Sequence, residues 1–229
     1  MSTDTVTWKS WREKLLLFDT FDRRNFAIEE REGTRLKQSF FKFVRPEGRV
    51  LDLGCGTGFN QRFLTNGQSY FGIDPLCLKR ANLYGFPFLL GMAEYLPFRD
   101  NSFDSAICIA TLDHVGDPAM VISEGLRILR PGGVLGIMNK GEIEGGRLAR
   151  YYVYLRLGLR KLRYGNIAGL KRGLLEVVTG AEDGFHMHHF DRDSLSTLCA
   201  SDFQHIDTQM VGNTLFLRAI KPSRLDRRL

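Results

Sequence analysis

With 229 residues, the chain has room for one large domain, or one domain with insertions. At 43% apolar residues its composition is that of an ordinary soluble globular protein, and no apolar run approaches the roughly 20 residues that span a bilayer. The net charge of +6 favours anionic partners but names none; four scattered cysteines (Cys55, Cys77, Cys108, Cys199), with no C-x-x-C pair, exclude a disulfide frame or zinc site and fit reduced core residues of a cytoplasmic protein.

The polar opening MSTDTVTWKSWREK lacks the apolar core of a signal peptide. The chain is expected to form a single domain over residues 1–229, beginning with a helical cap over 1–45. There Trp8, Trp11, Leu15 and Phe18 recur at helical spacing, and Phe40, Phe41, Phe43 and Val44 add a second apolar stretch. Pro46, Glu47 and Gly48 then break the chain.

Residues 46–141 alternate between strand and helix. RVLDL reads as a short buried strand, the stretch after Gly58 as a helix, and YFGID as a second strand ending at Asp74. A helix is predicted from Pro75 toward Asn82, then FLL as a third strand and FDSAICIA as a fourth, apolar throughout and so buried on both faces. DPAMVISEGLRIL is a helix with Pro118 near its first turn; RPGG stops it, and VLGIMN is the fifth strand. This alternation argues for a parallel sheet covered by helices on both faces.

Residues 142–185 break the rhythm and read as a basic helical lid. Leu148, Tyr151, Tyr152, Leu155, Leu159 and Leu162 mark one helical face, while Arg147, Arg150, Arg160, Lys161 and Arg163 mostly lie off it. No acid interrupts Gly145 to Leu175, so an anionic acceptor, a membrane surface or RNA could meet this insertion, and a merely solvated charged face explains it too. Residues 186–229 carry the helix DRDSLSTLCA and two β-rich runs flanking Gly212-Asn213, a two-residue hairpin signal that makes one strand antiparallel.

The stretch VLDLGCGTGFN places Gly54, Gly56 and Gly58 in a turn between strand and helix, where a backbone without β-carbons can approach a ligand. Asp74, at the end of the next strand, stands where an acid can hold ribose hydroxyls. A dinucleotide and other adenosine ligands both fit this much. The spacing is G-x-G-x-G rather than G-x-G-x-x-G, and Asp52 stands just before the turn, where its charge disfavours a pyrophosphate and suits an ammonium and a sulfonium. S-adenosylmethionine has the ribose, the adenine and the positive charge without a phosphate.

With LDLGCGTG, GID, AEYLPFRDNSFD and LRILRPGGVL in order, the chain resembles the class I S-adenosylmethionine-dependent methyltransferases, in particular their small-molecule group, closely over residues 49–139 and loosely over the terminal hairpin. The resemblance implies an α/β, Rossmann-like, seven-stranded sheet, mostly parallel with an antiparallel C-terminal hairpin strand and helices on both faces. It implies S-adenosylmethionine as cofactor and S-adenosylhomocysteine as product. Asp52, Gly54, Cys55, Gly56 and Gly58 would then wrap the methionine portion and Asp74 the ribose. Pro75 or Leu76 would pack near the adenine, Ala93 and Glu94 would sit beside its edge, and Ile109 and Ala110 would lie under the methionine portion. Many relatives carry an acid where this chain has Met92, so the contact to the adenine amino group passes to Glu94, backbone or water.

Methyl transfer is an in-line displacement in which the protein aligns the nucleophile, and a base is needed only for a protonated acceptor. Candidates for that base are His114 in TLDHV, after the fourth strand, and His186 and His188 in FHMHHF, which share one face of an extended segment that His189 opposes. No metal is expected, because no acid or cysteine at ligand spacing completes a set with these histidines. The leading expectation is transfer to a small or lipid-like acceptor at oxygen, nitrogen or carbon. The alternatives are an RNA methyltransferase, motivated by the basic helix and a pI near 9.2, and a catalytically silent cofactor-binding regulator. The oligomeric state is not legible.

Overall fold

A computed structural model describes residues 23–75, 85–141, 152 and 187–223, with side chains in the first helix from residue 33 onward. The helical spacing around Trp8 and Trp11, the helix predicted beyond Pro75, the basic insertion apart from Tyr152, His186 and the last residues of the tail lie outside the described residues.

The run FDSAICI has no polar face to give to water, and it forms β4 (Phe103–Ile109) at the centre of a seven-stranded sheet. Parallel to it lie β1 (Arg49–Leu53) on one side and β5 (Leu129–Lys140) on the other. β2 (Ser69–Asp74) and β3 (Phe88–Leu90) extend the β1 edge in parallel. β6 (Gln204–Val211) and β7 (Thr214–Ile220) form the terminal hairpin, whose β7 pairs antiparallel with β5 and with β6. The order is β3-β2-β1-β4-β5-β7-β6.

Period-2 alternation sorts the sheet's side chains into two cores. Leu51, Leu53, Ile73, Leu135, Ile137, Leu215 and Leu217 face α2 (Pro118–Ile128) and α3 (Arg192–Ala200). Val50, Ile107, Ile109, Val134, Met138 and Phe216 face α1 (Arg23–Val44), which contributes Phe40, Phe41 and Val44. α1 lies close because β5 has Gly136 beneath it; a β-carbon there would come within 2.6 Å of Val44 Cγ1. Burying each such large side chain contributes about 1.5–3 kcal/mol, so both helical layers are held mainly by apolar burial.

The helix starts obey local chemistry. Asp117 caps α2 by accepting from the Met120 amide at 3.1 Å, with Pro118 at the first helical position. Asp191 and Ser194 form a capping box at α3, which holds the Asp191 carboxyl below the usual carboxylate range.

Two expectations change. The helix predicted after Gly58 is a single 3₁₀ segment, Phe59–Phe63. RPGG is not a turn between helix and strand: α2 ends at Ile128 and β5 begins at Leu129, with the RPGG residues bulged inside it. The bulge persists because Lys221 exchanges backbone hydrogen bonds with Gly132 and Gly133, while the Arg130 guanidinium donates to Asp104. Among the described residues no helix is long and apolar enough to cross a membrane.

Candidate cofactor and acceptor site

After β1 the chain folds over the end of β2. The amides of Gly54 and Cys55 donate to the Ile73 carbonyl at 2.8 and 3.1 Å, and the Gly56 amide donates to Asp74 Oδ2 at 2.8 Å. Gly54, Gly56 and Gly58 all have positive φ (73°, 52° and 74°), which a glycine adopts without penalty. Their surroundings differ. A β-carbon at Gly54 would lie 2.3 Å from Thr111 Oγ1, and one at Gly58 would lie 2.0 Å from Phe86 Cε1. One at Gly56 would meet nothing within 4 Å among the described residues. The first and third glycines therefore serve the chain's own packing, and among the described residues the second of the three faces open space.

The acids sit at or near the carboxyl ends of the strands. Asp52 is wholly buried beneath the turn, on the α1 face, where Oδ2 accepts from Tyr70 Oη at 2.5 Å and from Asn60 Nδ2 at 2.9 Å. Its Oδ1 is buried with no hydrogen-bond partner among the described residues. Burial pushes its pKa up to about 6, against the lowering effect of Tyr70, Asn60 and Lys37. Neither Tyr70 nor Asn60 was picked out by the sequence; Gly72, which faces Asp52 across the β1–β2 ladder, makes room for Cys55 and Phe86. Asp74 is buried at the end of β2, with Pro75 half-buried after it.

Ala93 and Glu94 are both buried in the segment after β3. Glu94 is therefore not the solvated acid that its type suggests: Oε1 accepts from the Gly116 amide at 2.9 Å. The segment is clamped by Arg127 of α2, a residue the sequence did not single out. Its guanidinium donates to the carbonyls of Leu96 (2.8 Å) and Phe98 (2.6 Å), to Asp100 (2.9 Å) and to both oxygens of Glu124. Glu124 also accepts from the Leu96 amide at 2.7 Å, and its hydrogen bond with Arg127 holds its carboxyl below the usual range. The i,i+3 acid–base spacing on the predicted helix was the available signal.

Beyond β4, Ile109 is buried and Ala110 is exposed with φ 52°, a left-handed conformation uncommon for a residue with a β-carbon. The loop that follows gathers two of the three histidine candidates. His114 Nε2 is 3.8 Å from Asp113 Oδ1. The Asp113 carbonyl accepts from the amides of Met187 (2.7 Å) and His188 (3.2 Å), and His188 Nε2 lies 2.9 Å from the Val115 carbonyl. His188 is half-buried and His189 exposed, as the alternation predicts. Asn139, at the carboxyl end of β5, is 1% exposed with neither side-chain atom hydrogen-bonded among the described residues, another residue that sequence patterning passed over.

The electrostatics are one-sided. The Cys108 thiol is driven far up by burial and then by Asp52, Asp113 and Glu94; Cys55 is driven up by burial, Asp52 and Asp74. Both thiols lie within the field of the acids at this end of the sheet. The buried thiols, Cys199 included, are held in their uncharged form.

Residues 51–137 match the family described as a methyltransferase domain. An uncharacterized methyltransferase of Mycobacterium bovis is 45% identical over 95 residues, which cover 39% of this chain and 39% of that relative. A phthiotriol/phenolphthiotriol dimycocerosates methyltransferase 1 of Mycobacterium ulcerans is 38% identical over 96 residues, covering 38% of this chain and 35% of that relative. The chain thus matches under two fifths of the length of these curated relatives. Among solved structures, the 1,6-didemethyltoxoflavin-N1-methyltransferase of Burkholderia thailandensis, with bound 1,6-didemethyltoxoflavin and S-adenosylhomocysteine, superposes with a TM-score of 0.58. The superposition covers 87% of this chain and 86% of that one at 17% identity, a likeness of fold alone. The glycine turn, the sheet order with its reversed β7 and these matches make the chain similar to the class I S-adenosylmethionine-dependent methyltransferases, with the family match lying over residues 51–137.

Proposed function

We propose that the chain transfers a methyl group from S-adenosylmethionine to a small or lipid-like acceptor at oxygen, nitrogen or carbon. The observation that carries this reading is the cradle at Gly56, open where Gly54 and Gly58 are filled, beside the acids at this end of the sheet. The residues fit that cofactor: the acids attract a sulfonium and an ammonium and would repel a pyrophosphate. Backbone from Gly54 through Cys55 and Gly56 to Gly58 would hold the methionine portion above Asp52 and Ile109, Asp74 the ribose, and Pro75 and Ala93 the adenine side. When bound, the sulfonium supplies the electrophilic carbon and its own leaving group.

The chain's own residues orient the acceptor and handle its proton. A hydrogen bond to the Val115 carbonyl requires the proton on His188 Nε2, which in the neutral ring leaves the lone pair on Nδ1. His188, His114 and His186 are the candidates to take a proton from a hydroxyl or carbon acid; a carboxylate or neutral amine needs none. The acceptor class draws support from the names of the similar proteins, which cite phthiotriol and phenolphthiotriol dimycocerosates and 1,6-didemethyltoxoflavin, neither a nucleic acid nor a protein. The insertion over 142–185 would cover the acceptor and, being basic, would suit an anionic one or an anionic surface.

The test begins with calorimetric titration of S-adenosylhomocysteine; no binding would remove the basis of the reading. Labelled S-adenosylmethionine is then incubated with separate metabolite, lipid and RNA fractions. Label in the metabolite or lipid fraction is expected, and label confined to RNA would overturn the acceptor class.

A further inference from the structure

The loop from Ala110 to Gly116 touches the glycine turn, the segment after β3 and the chain at Met187 and His188. Thr111 Oγ1 lies 3.4 Å from the Gly54 carbonyl, at the glycine turn. The carbonyls of Asp113 and Val115 hold Met187 and His188, where the chain returns from the insertion. At the loop's far end, just before the cap residue Asp117, the Gly116 amide donates to Glu94 Oε1. Glu94 belongs to the segment expected beside the adenine. One carboxylate oxygen of that wall is therefore committed to the loop that carries Asp113 and His114.

Glu94 also has little freedom to move. It is 4% exposed, and two residues later the amide and carbonyl of Leu96 are held by Glu124 and Arg127. With the backbone clamped so near, the side chain reaches the Gly116 amide. We propose that Glu94 is a positioning residue that ties the cofactor wall to the acceptor loop, and that it is not the reader of the adenine amino group. The inference rests on the cofactor reading above. It assigns a physical task to the Arg127–Glu124 pair, which holds Glu94 at the length the tie requires. Only an acceptor atom at Oε1 is needed, so glutamine can do the same work.

Hydrogen exchange over a peptide spanning residues 110–117 tests the tie on the apo protein, alongside titration of S-adenosylhomocysteine. Losing one buried hydrogen bond in Glu94→Ala should speed exchange there about tenfold and change the Kd for S-adenosylhomocysteine by less than about threefold. Glu94→Gln should restore the wild-type exchange. A tenfold or greater loss of S-adenosylhomocysteine affinity with unchanged exchange would make Glu94 the adenine reader and overturn the proposal, as would Glu94→Gln behaving like the alanine variant. If Glu94→Ala does not fold, Arg127→Lys replaces it: faster exchange over 110–117, remote from the substitution, supports transmission through Glu94, and unchanged exchange overturns it. Wild-type protein indifferent to S-adenosylhomocysteine would sink the cofactor reading, while the apo exchange still decides the tie.

Discussion

Replacing the second and third glycines of the turn by alanine should separate binding from folding. Gly58→Ala keeps φ at 74° at a cost of about 1 kcal/mol and drives a methyl group to 2.0 Å from Phe86 Cε1 and 2.3 Å from Cζ. Phe86 packs edge-on against Tyr70 (ring centroids 4.9 Å apart) beside Cys55, so the ring cannot retreat without disturbing a buried cluster. Overpacking of this kind costs about 1–3 kcal/mol more. The sum, about 2–4 kcal/mol, corresponds to a fall in Tm of roughly 5–15 °C for a chain of this size. Gly56→Ala incurs only the backbone strain, about 1 kcal/mol and roughly 2–4 °C, because its methyl meets no atom within 4 Å among the described residues. That methyl stands in the cradle, and the Kd for S-adenosylhomocysteine should rise at least about tenfold, the equivalent of 1.4 kcal/mol. Differential scanning calorimetry and isothermal titration on the two variants read both quantities. Wild-type affinity in Gly56→Ala would falsify the assignment of the cradle, and a wild-type Tm in Gly58→Ala would show that Phe86 yields freely.

Asp52 gives a pH signature of unusual sign. Its folded pKa of about 6 exceeds the ordinary 3.8, so the apo protein should lose about 3 kcal/mol from this group as pH rises from roughly 4 to 6, with no further loss above. Urea unfolding at a series of pH values should show that decline in wild type and its absence in Asp52→Asn, whose partner Asn60 can turn its amide to match; equal slopes would refute the buried carboxylate. Asn139→Leu removes two polar atoms that have no partner among the described residues, by a shape-matched change, and should raise stability by about 1–3 kcal/mol. A lower Tm would mean that the amide has partners in solution. Arg127→Ala should cost about 1–3 kcal/mol in denaturant unfolding, and Arg127→Lys should recover less than half, since one ammonium cannot span the Leu96 and Phe98 carbonyls and the Glu124 carboxylate together. Full recovery by lysine would reduce the clamp to simple charge.

What the sequence alone determined is what short-range chemistry sets. FDSAICI, with no polar side to show, had to be a central strand; Asp117-Pro118 had to start a helix; Gly212-Asn213 had to turn a hairpin. The turn at Gly54, Gly56 and Gly58 and the acid Asp74 at the next strand end were legible for the same reason: the strand-to-turn geometry is local. Tertiary structure decided how those residues divide the work. Three glycines alike in sequence and in φ part company because Thr111 and Phe86 arrive beside two of them and none of the described residues arrives beside the third. Aspartates at the ends of neighbouring strands part company too, since Asp52 is enclosed by Tyr70 and Asn60 while Asp74 receives the Gly56 amide. Glu94, solvated by type, is buried because the amide of Gly116 lies within its reach. RPGG becomes a bulge because Lys221 grips it from the far end of the chain. In each case the deciding partner is distant in sequence, and burial, which sets the worth of every polar group, is a property of the packed whole.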